Sequence, residues 1–164
     1  MNAISRVGFI GLGAMGAPLA GHLHGKGLLT AVGNRTVAKS DALARQLGVK
    51  AAHVSTDFAA CDAVVLCVSK DADVLQCIDD LAAVLPAGAL VIDHSTVARA
   101  TAIEAAARLK AKGIDFLDAP VSGGVEGAKN GKLSVMIGGE AAVFERARNL
   151  LSAYALKVTL MGPS

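Results

Sequence analysis

Ala63–Val68 reads Ala-Val-Val-Leu-Cys-Val, with no polar side chain anywhere in the run. A strand with one wet face alternates apolar and polar residues. An unbroken apolar run instead predicts a strand covered on both faces, as in a parallel sheet between two helical layers. Val7–Gly11 and Ala89–Asp93 have the same character, and Thr30–Asn34 is a weaker version. Segments of helical length separate them. These are Met15–Lys26, a helix from the N-cap Thr36 through Leu47 closed by Gly48, and Asp71–Leu85 stopped by Pro86 and Gly88. Ala98–Lys112 ends at Gly113, and Ala141–Tyr154 is the last. Asp115–Val121, Leu133–Gly138 and Lys157–Met161 are read as further strands. This alternation predicts an α/β, Rossmann-type, doubly wound and mostly parallel sheet, a single domain over residues 1–164.

Gly11-Leu12-Gly13-Ala14-Met15-Gly16 falls after the first strand and opens the first helix. In that setting Gly-x-Gly-x-x-Gly has a mechanism. The first glycine permits the tight turn, the second lets backbone approach a pyrophosphate, and the third lets the helix pack on the strand. Unpaired N–H groups and the positive helix end then receive phosphate. The bland alternative is a structural glycine turn. A carboxylate about twenty residues further on would grip the ribose hydroxyls of NAD. The second strand here ends in Asn34-Arg35-Thr36. Arg35 offers a fork of donors to a 2′-phosphate, which favours NADP over NAD. The alternative is a solvated Arg35, with cofactor choice set elsewhere.

Open α/β sheets bind ligands beyond the carboxyl ends of their strands. The polar residues there are Ser69 after Val68, His94-Ser95-Thr96 after Asp93, and Ser122-Gly123-Gly124 after Val121. Ser69 and Ser95 also suit helix caps. Ser122-Gly123-Gly124 presents three amides and a hydroxyl, an anion cradle, or else a plain glycine loop.

Other functions are excluded by composition. Net charge is +2 with no basic field, and there is no Trp and one Tyr, so neither a nucleic-acid footprint nor a base-stacking platform exists. The uncharged stretch from Val7 to Gly25 is long enough to span a bilayer, but its glycines, Pro18, His22 and His24 make a poor lipid-facing helix and argue against a signal peptide. The cysteines Cys61, Cys67 and Cys77 are odd in number and form no Cys-x-x-Cys, which predicts reduced thiols in a cytoplasmic protein and no metal site. His22 and His24 cannot share a helix face, and His53 and His94 have no evident carboxylate or cysteine cluster around them.

Three blocks together carry a resemblance: the glycine turn, Asp93-His94-Ser95-Thr96-Val97, and Asp118-Ala119-Pro120-Val121-Ser122-Gly123-Gly124. With Val125–Gly131 and Met136-Ile137-Gly138-Gly139 they are similar to the β-hydroxyacid dehydrogenase family, which includes 3-hydroxyisobutyrate dehydrogenase. The related 6-phosphogluconate dehydrogenases share several motifs but normally carry Gly-Asn-Ser where this chain has His94-Ser95-Thr96. The resemblance implies a nicotinamide cofactor held by Gly11, Leu12, Gly13, Ala14, Met15 and Gly16, with Asn34, Arg35 and Thr36 at the adenosine phosphate. It implies Val68, Ser69 and Thr96 along the cofactor, and Ser122, Gly123 and Gly124 on the carboxylate of a short hydroxy acid or semialdehyde. Hydride transfer within a homo-oligomer is the implied activity. The family's general acid/base lysine lies on a long helix after the last Rossmann strand, and an asparagine follows one turn on. Neither that helix nor the helical second domain is expected within these 164 residues, and Lys157 is no substitute. These residues alone are therefore expected to bind cofactor without turnover.

Overall fold

The computed structural model describes residues 3–163. Strands and helices alternate as β1 (Val7–Ile10), α1 (Gly16–Gly25), β2 (Leu29–Gly33), α2 (Val37–Leu47), β3 (Lys50–Ala51), β4 (Ala63–Leu66), α3 (Asp71–Ala82), β5 (Leu90–Asp93) and α4 (Arg99–Lys110). There follow β6 (Asp115–Asp118), β7 (Val121–Ser122), α5 (Gly124–Asn130), β8 (Leu133–Gly138), α6 (Ala141–Leu151) and β9 (Ala155–Gly162). The sheet runs β3-β2-β1-β4-β5-β6-β8-β7, with β9 also on β8. From β3 to β6 every pairing is parallel, and the order reverses direction at β1, where β4 pairs on the side away from β2. β8 pairs antiparallel with β6 and β7 and parallel with β9.

The apolar runs divide their side chains by parity, as a strand must. Val7, Phe9, Val65, Leu90 and Ile92 pack in one core with Leu19, Leu23, Ala44 and the α6 residues Phe144 and Leu151. Val64, Leu66 and Val91 point the other way, against Val74 and Ile78 of α3 and Ala105 and Leu109 of α4. Gly8 faces this second core, where a Cβ would come within 2.5 Å of the Phe58 ring. The sheet thus has helices on both faces, and no helix among the described residues is long and apolar enough to cross a membrane.

Gly48 closes α2 in the left-handed conformation, at φ +70°. Thr36 has the extended backbone of an N-cap, but its side chain makes no capping bond. Three expectations need correction. Asp115–Val121 is not one strand: it breaks after Asp118, and the Pro120 carbonyl accepts from the Met136 amide of β8. Ser122-Gly123-Gly124 is not a plain glycine loop, because Gly124 opens the seven-residue helix α5. Ser69 and Ser95 cap nothing, because α3 and α4 begin after Lys70 and Ala98.

Candidate functional site

The turn between β1 and α1 shows what each glycine is for. Gly11 has φ +105°, and a Cβ there would lie 2.0 Å from the Cys67 carbonyl oxygen. A Cβ on Gly16 would lie 1.7 Å from the Gly11 carbonyl oxygen. Those two glycines are demanded by the protein's own packing. Gly13 differs: a Cβ there would meet no protein atom within 4 Å. Its missing side chain leaves open space directly over the turn. α1 starts at Gly16 with no acidic residue in its first turn, so its positive end is uncompensated.

This turn opens onto a cavity of about 600 Å³ beyond the carboxyl ends of β1, β2 and β4. Gly11, Leu12, Gly13, Asn34, Arg35, Val68 and Ser69 line it. Ala14, Met15, Gly16, Thr36 and Thr96 do not, although Ala14 and Met15 belong to the same turn and Thr96 is exposed on the loop after β5. A smaller recess of about 200 Å³ shares Ile10 and Asn34 and adds Val54 and Phe58.

Hydrogen bonds tie the loops to one another. Asn34 Oδ1 accepts from the Leu12 amide at 2.8 Å, and its Nδ2 donates to the Thr36 carbonyl at 3.2 Å. The Asn34 side chain therefore joins the glycine turn to the β2–α2 loop and retains one N–H for a ligand. The Val68 amide donates to Ser95 Oγ at 2.9 Å, and the Ser95 amide donates to Asp93 Oδ1 at 2.9 Å. Ser95 thus joins the loops after β4 and β5. Arg35 is largely exposed and its guanidinium pairs with Asp73 of α3.

His94, read as lacking an evident cluster, is fully enclosed. Its Nδ1–H donates to the Ala119 carbonyl at 2.7 Å, which leaves Nε2 to accept from the Tyr154 hydroxyl at 2.6 Å. Burial pushes the imidazole from 6.5 down to about 4 and pushes the Tyr154 phenol up. Asp93 is also buried, and its Oδ2 has no partner. Desolvation raises this carboxyl from 3.8 to about 6 against the bonds from Ser95, with the nearby Asp118 and Asp71 charges adding to the rise. His53 does have a carboxylate partner, Asp41 at 2.6 Å, on the exposed surface.

Ser122, Gly123 and Gly124 are exposed at the start of α5, away from the large cavity's lining. Gly123 and Gly124 have φ +130° and +62°, conformations that a side chain disfavours. His22 of α1 lies at the far end of α5, with Nε2 at 2.9 Å from the Ala128 carbonyl and 3.0 Å from that of Lys129. One helix thus starts at the glycine turn and anchors the helix that follows Ser122.

Sequence reasoning missed Lys39, Lys70 and the α3 residues Asp73, Gln76, Cys77 and Asp80 in the large cavity's wall. The α3 set was readable in principle. Its positions i, i+3, i+4 and i+7 form one helix stripe, flanking the stripe of Val74, Ile78 and Leu81 that packs on the sheet.

A glycine turn of this geometry, at the point where the strand order reverses, defines a dinucleotide-binding Rossmann domain. Residues 6–162 match the family described as the NAD binding domain of 6-phosphogluconate dehydrogenase, and the chain belongs to that family. It is 43% identical to an uncharacterized oxidoreductase of Shewanella frigidimarina, over 98% of this chain and 56% of that protein. It is 37% identical to the NAD-dependent L-serine dehydrogenase of Pseudomonas aeruginosa, over 98% of this chain and 55% of that protein. The structure of Mycobacterium tuberculosis 3-hydroxyisobutyrate dehydrogenase with L-serine superposes with a TM-score of 0.93 at 32% identity, covering 98% of this chain and 55% of that one. The chain therefore spans a little over half the length of these oxidoreductases.

Proposed function

We propose that these residues form the cofactor-binding part of an NADP(H)-dependent oxidoreductase that acts on a short 3-hydroxy acid or its semialdehyde. The observation that carries this reading is the empty space over Gly13, between two glycines that packing requires and at an uncompensated helix N-terminus. Gly13 lines the large cavity, so a phosphate can approach the turn's backbone from that side. The Gly13, Ala14 and Met15 amides receive the pyrophosphate, and Asn34 holds the turn in place. Arg35 and Thr36 receive the adenosine 2′-phosphate. Val68, Ser69 and Thr96 follow the cofactor towards its nicotinamide, whose ring supplies the hydride acceptor or donor. Ser122, Gly123 and Gly124, exposed at the start of α5, hold the substrate carboxylate.

The proton is a separate matter. The family resemblance assigns proton transfer to a lysine on a helix after the last Rossmann strand, and this reading gives that role to none of the residues named above. In this reading the chain binds NADPH saturably but oxidises it with succinic semialdehyde at background rate. Loss of a positioned acid/base costs about 10²–10⁴ in rate.

Cofactor choice is the test. A charge-assisted bond from Arg35 is worth about 1.5–3 kcal/mol, a roughly tenfold to hundredfold preference for NADPH over NADH. Fluorescence titration of both cofactors at fixed salt, on the wild-type chain and Arg35→Ala, measures it. Equal affinities, or an unchanged ratio in the variant, refute NADP selection by Arg35. A full-length assay against 3-hydroxyisobutyrate, L-serine, succinic semialdehyde and 6-phosphogluconate then separates hydroxy-acid oxidation from the decarboxylating alternative.

A further inference from the structure

Arg35 does not wait unpaired at the cavity mouth. Its guanidinium reaches from the β2–α2 loop to Asp73 on α3, and both residues line the same cavity. The two ends of this pair differ. The Arg35 side chain is 77% exposed on a loop, whereas that of Asp73 is only 24% exposed and sits in the first turn of a twelve-residue helix. The carboxylate is mostly enclosed on a helix, whereas the guanidinium extends from a loop into solvent. Asp71, the other acid of that turn, is engaged elsewhere, since its Oδ2 accepts from the Ala98 amide at 3.0 Å and the Thr101 hydroxyl at 2.7 Å.

We infer that Asp73 is a specificity-determining residue, an internal anion that holds the Arg35 guanidinium where a 2′-phosphate would bind and so tempers the preference for NADPH. The inference rests on the reading of Arg35 as the 2′-phosphate ligand. A guanidinium has five N–H donors in a rigid fork, and a carboxylate on one edge occupies part of it. An incoming phosphate meets one of two situations. Either Arg35 swings away and the Asp73 pair is lost, or Asp73 stays and its negative charge faces the phosphate. Both weaken NADPH binding. Neither touches NADH, whose ribose carries a neutral hydroxyl at that position. Lys39 and Lys70 line the same wall and add positive charge to it.

The experiment is a titration of NADPH and NADH into the wild-type chain, Asp73→Asn, Asp73→Gln, Arg35→Ala and the Arg35→Ala/Asp73→Asn pair. Each variant's melting temperature is measured alongside. Asp80→Asn, on the same cavity wall and two turns further along α3, controls for general charge. Exposed ion pairs contribute little, so both Asp73 variants should bind NADPH about two- to fivefold more tightly, with NADH unchanged. The gain should exceed that of Asp80→Asn, shrink in the Arg35→Ala background, and fall at about 0.5 M salt. An unchanged or weaker NADPH affinity in both Asp73 variants, while Arg35→Ala still lowers the NADPH:NADH ratio, overturns this inference alone. Asp73 would then be a positioning residue that holds Arg35 ready. If Arg35→Ala leaves the ratio unchanged, the reading beneath it fails as well.

Discussion

Alanine at Gly13 and alanine at Gly16 should fail in opposite ways, although the two glycines belong to one six-residue motif. A Cβ on Gly13 meets no protein atom within 4 Å, and Gly13 is not among the glycines with positive φ. The fold should tolerate Gly13→Ala within about 0.5 kcal/mol, or gain slightly from reduced unfolded-state entropy. The methyl group would project where a phosphate oxygen must come within about 2.7–2.9 Å of backbone N–H groups. Losing one such charge-assisted bond costs about 1.5–3 kcal/mol, which raises the NADPH dissociation constant roughly tenfold to hundredfold. At Gly16 a Cβ would lie 1.7 Å from the Gly11 carbonyl oxygen, so the helix must move off the strand. That overpacking costs about 1–3 kcal/mol or more of stability. Urea denaturation and NADPH fluorescence titration on both variants separate the effects. Wild-type NADPH affinity in Gly13→Ala would show that no phosphate approaches this turn. Wild-type stability in Gly16→Ala would show that the close approach to Gly11 does not constrain the helix.

Tyr154→Phe removes the donor to His94 Nε2 in a fully buried site and should cost about 1–3 kcal/mol in urea denaturation, without changing NADPH affinity. His94 and Asp93 should oppose each other in acid. With His94 lowered from 6.5 to about 4, its contribution to stability is lost as pH falls through that window; with Asp93 raised from 3.8 to about 6, its contribution is lost as pH rises through its own. Stability of the wild type should therefore vary little with these two groups between about pH 4 and 6, whereas Asp93→Asn should lose stability towards acid and His94→Gln towards neutrality, each by up to ~1.4 kcal/mol per pH unit. Parallel pH profiles for all three proteins would contradict this. Cys67 and Cys77, pushed by burial up to about 11, should alkylate far more slowly than free cysteine at neutral pH, and rapid labelling of the folded chain would contradict the burial.

Much of this molecule is legible in its residues because the signals are local. The apolar runs at Ala63–Val68 and Ala89–Asp93 announce strands covered on both faces, and Gly48 announces the end of α2. The glycine turn is local in part: Gly16 is required by the Gly11 carbonyl five positions before it, whereas Gly11 is required by the distant Cys67 carbonyl. What was not legible depends on distance or on weak patterns. α5 contains Gly124 and Gly127 in seven residues and shows no apolar stripe of its own; it is held by His22, more than a hundred positions away. The reversed direction of β8 relative to β6 is a property of pairing; Leu133–Gly138 alternates buried with less buried residues, unlike β4 and β5, but so short a pattern names no partner strand. His94 meets Tyr154 across 60 positions, so its enclosure could not be read from its neighbours. Asp73 was hidden for a simpler reason. It reads as an ordinary acidic residue in a helix's first turn until Arg35 is seen beside it.

The Asn34 bridge has a kinetic consequence. By accepting from the Leu12 amide it fixes the glycine turn against the β2–α2 loop through the protein's own bonds, while the Gly11 amide donates to the Gly33 carbonyl at 3.0 Å and the Cys67 amide to that of Ile10 at 2.9 Å. Backbone that is ordered during folding need not be ordered again on binding. Association at the phosphate end should then be a single bimolecular step. Stopped-flow mixing should give single-exponential traces whose rate rises linearly with NADPH concentration, without the plateau that loop rearrangement imposes. Asn34→Ala frees the turn, and the plateau should appear there.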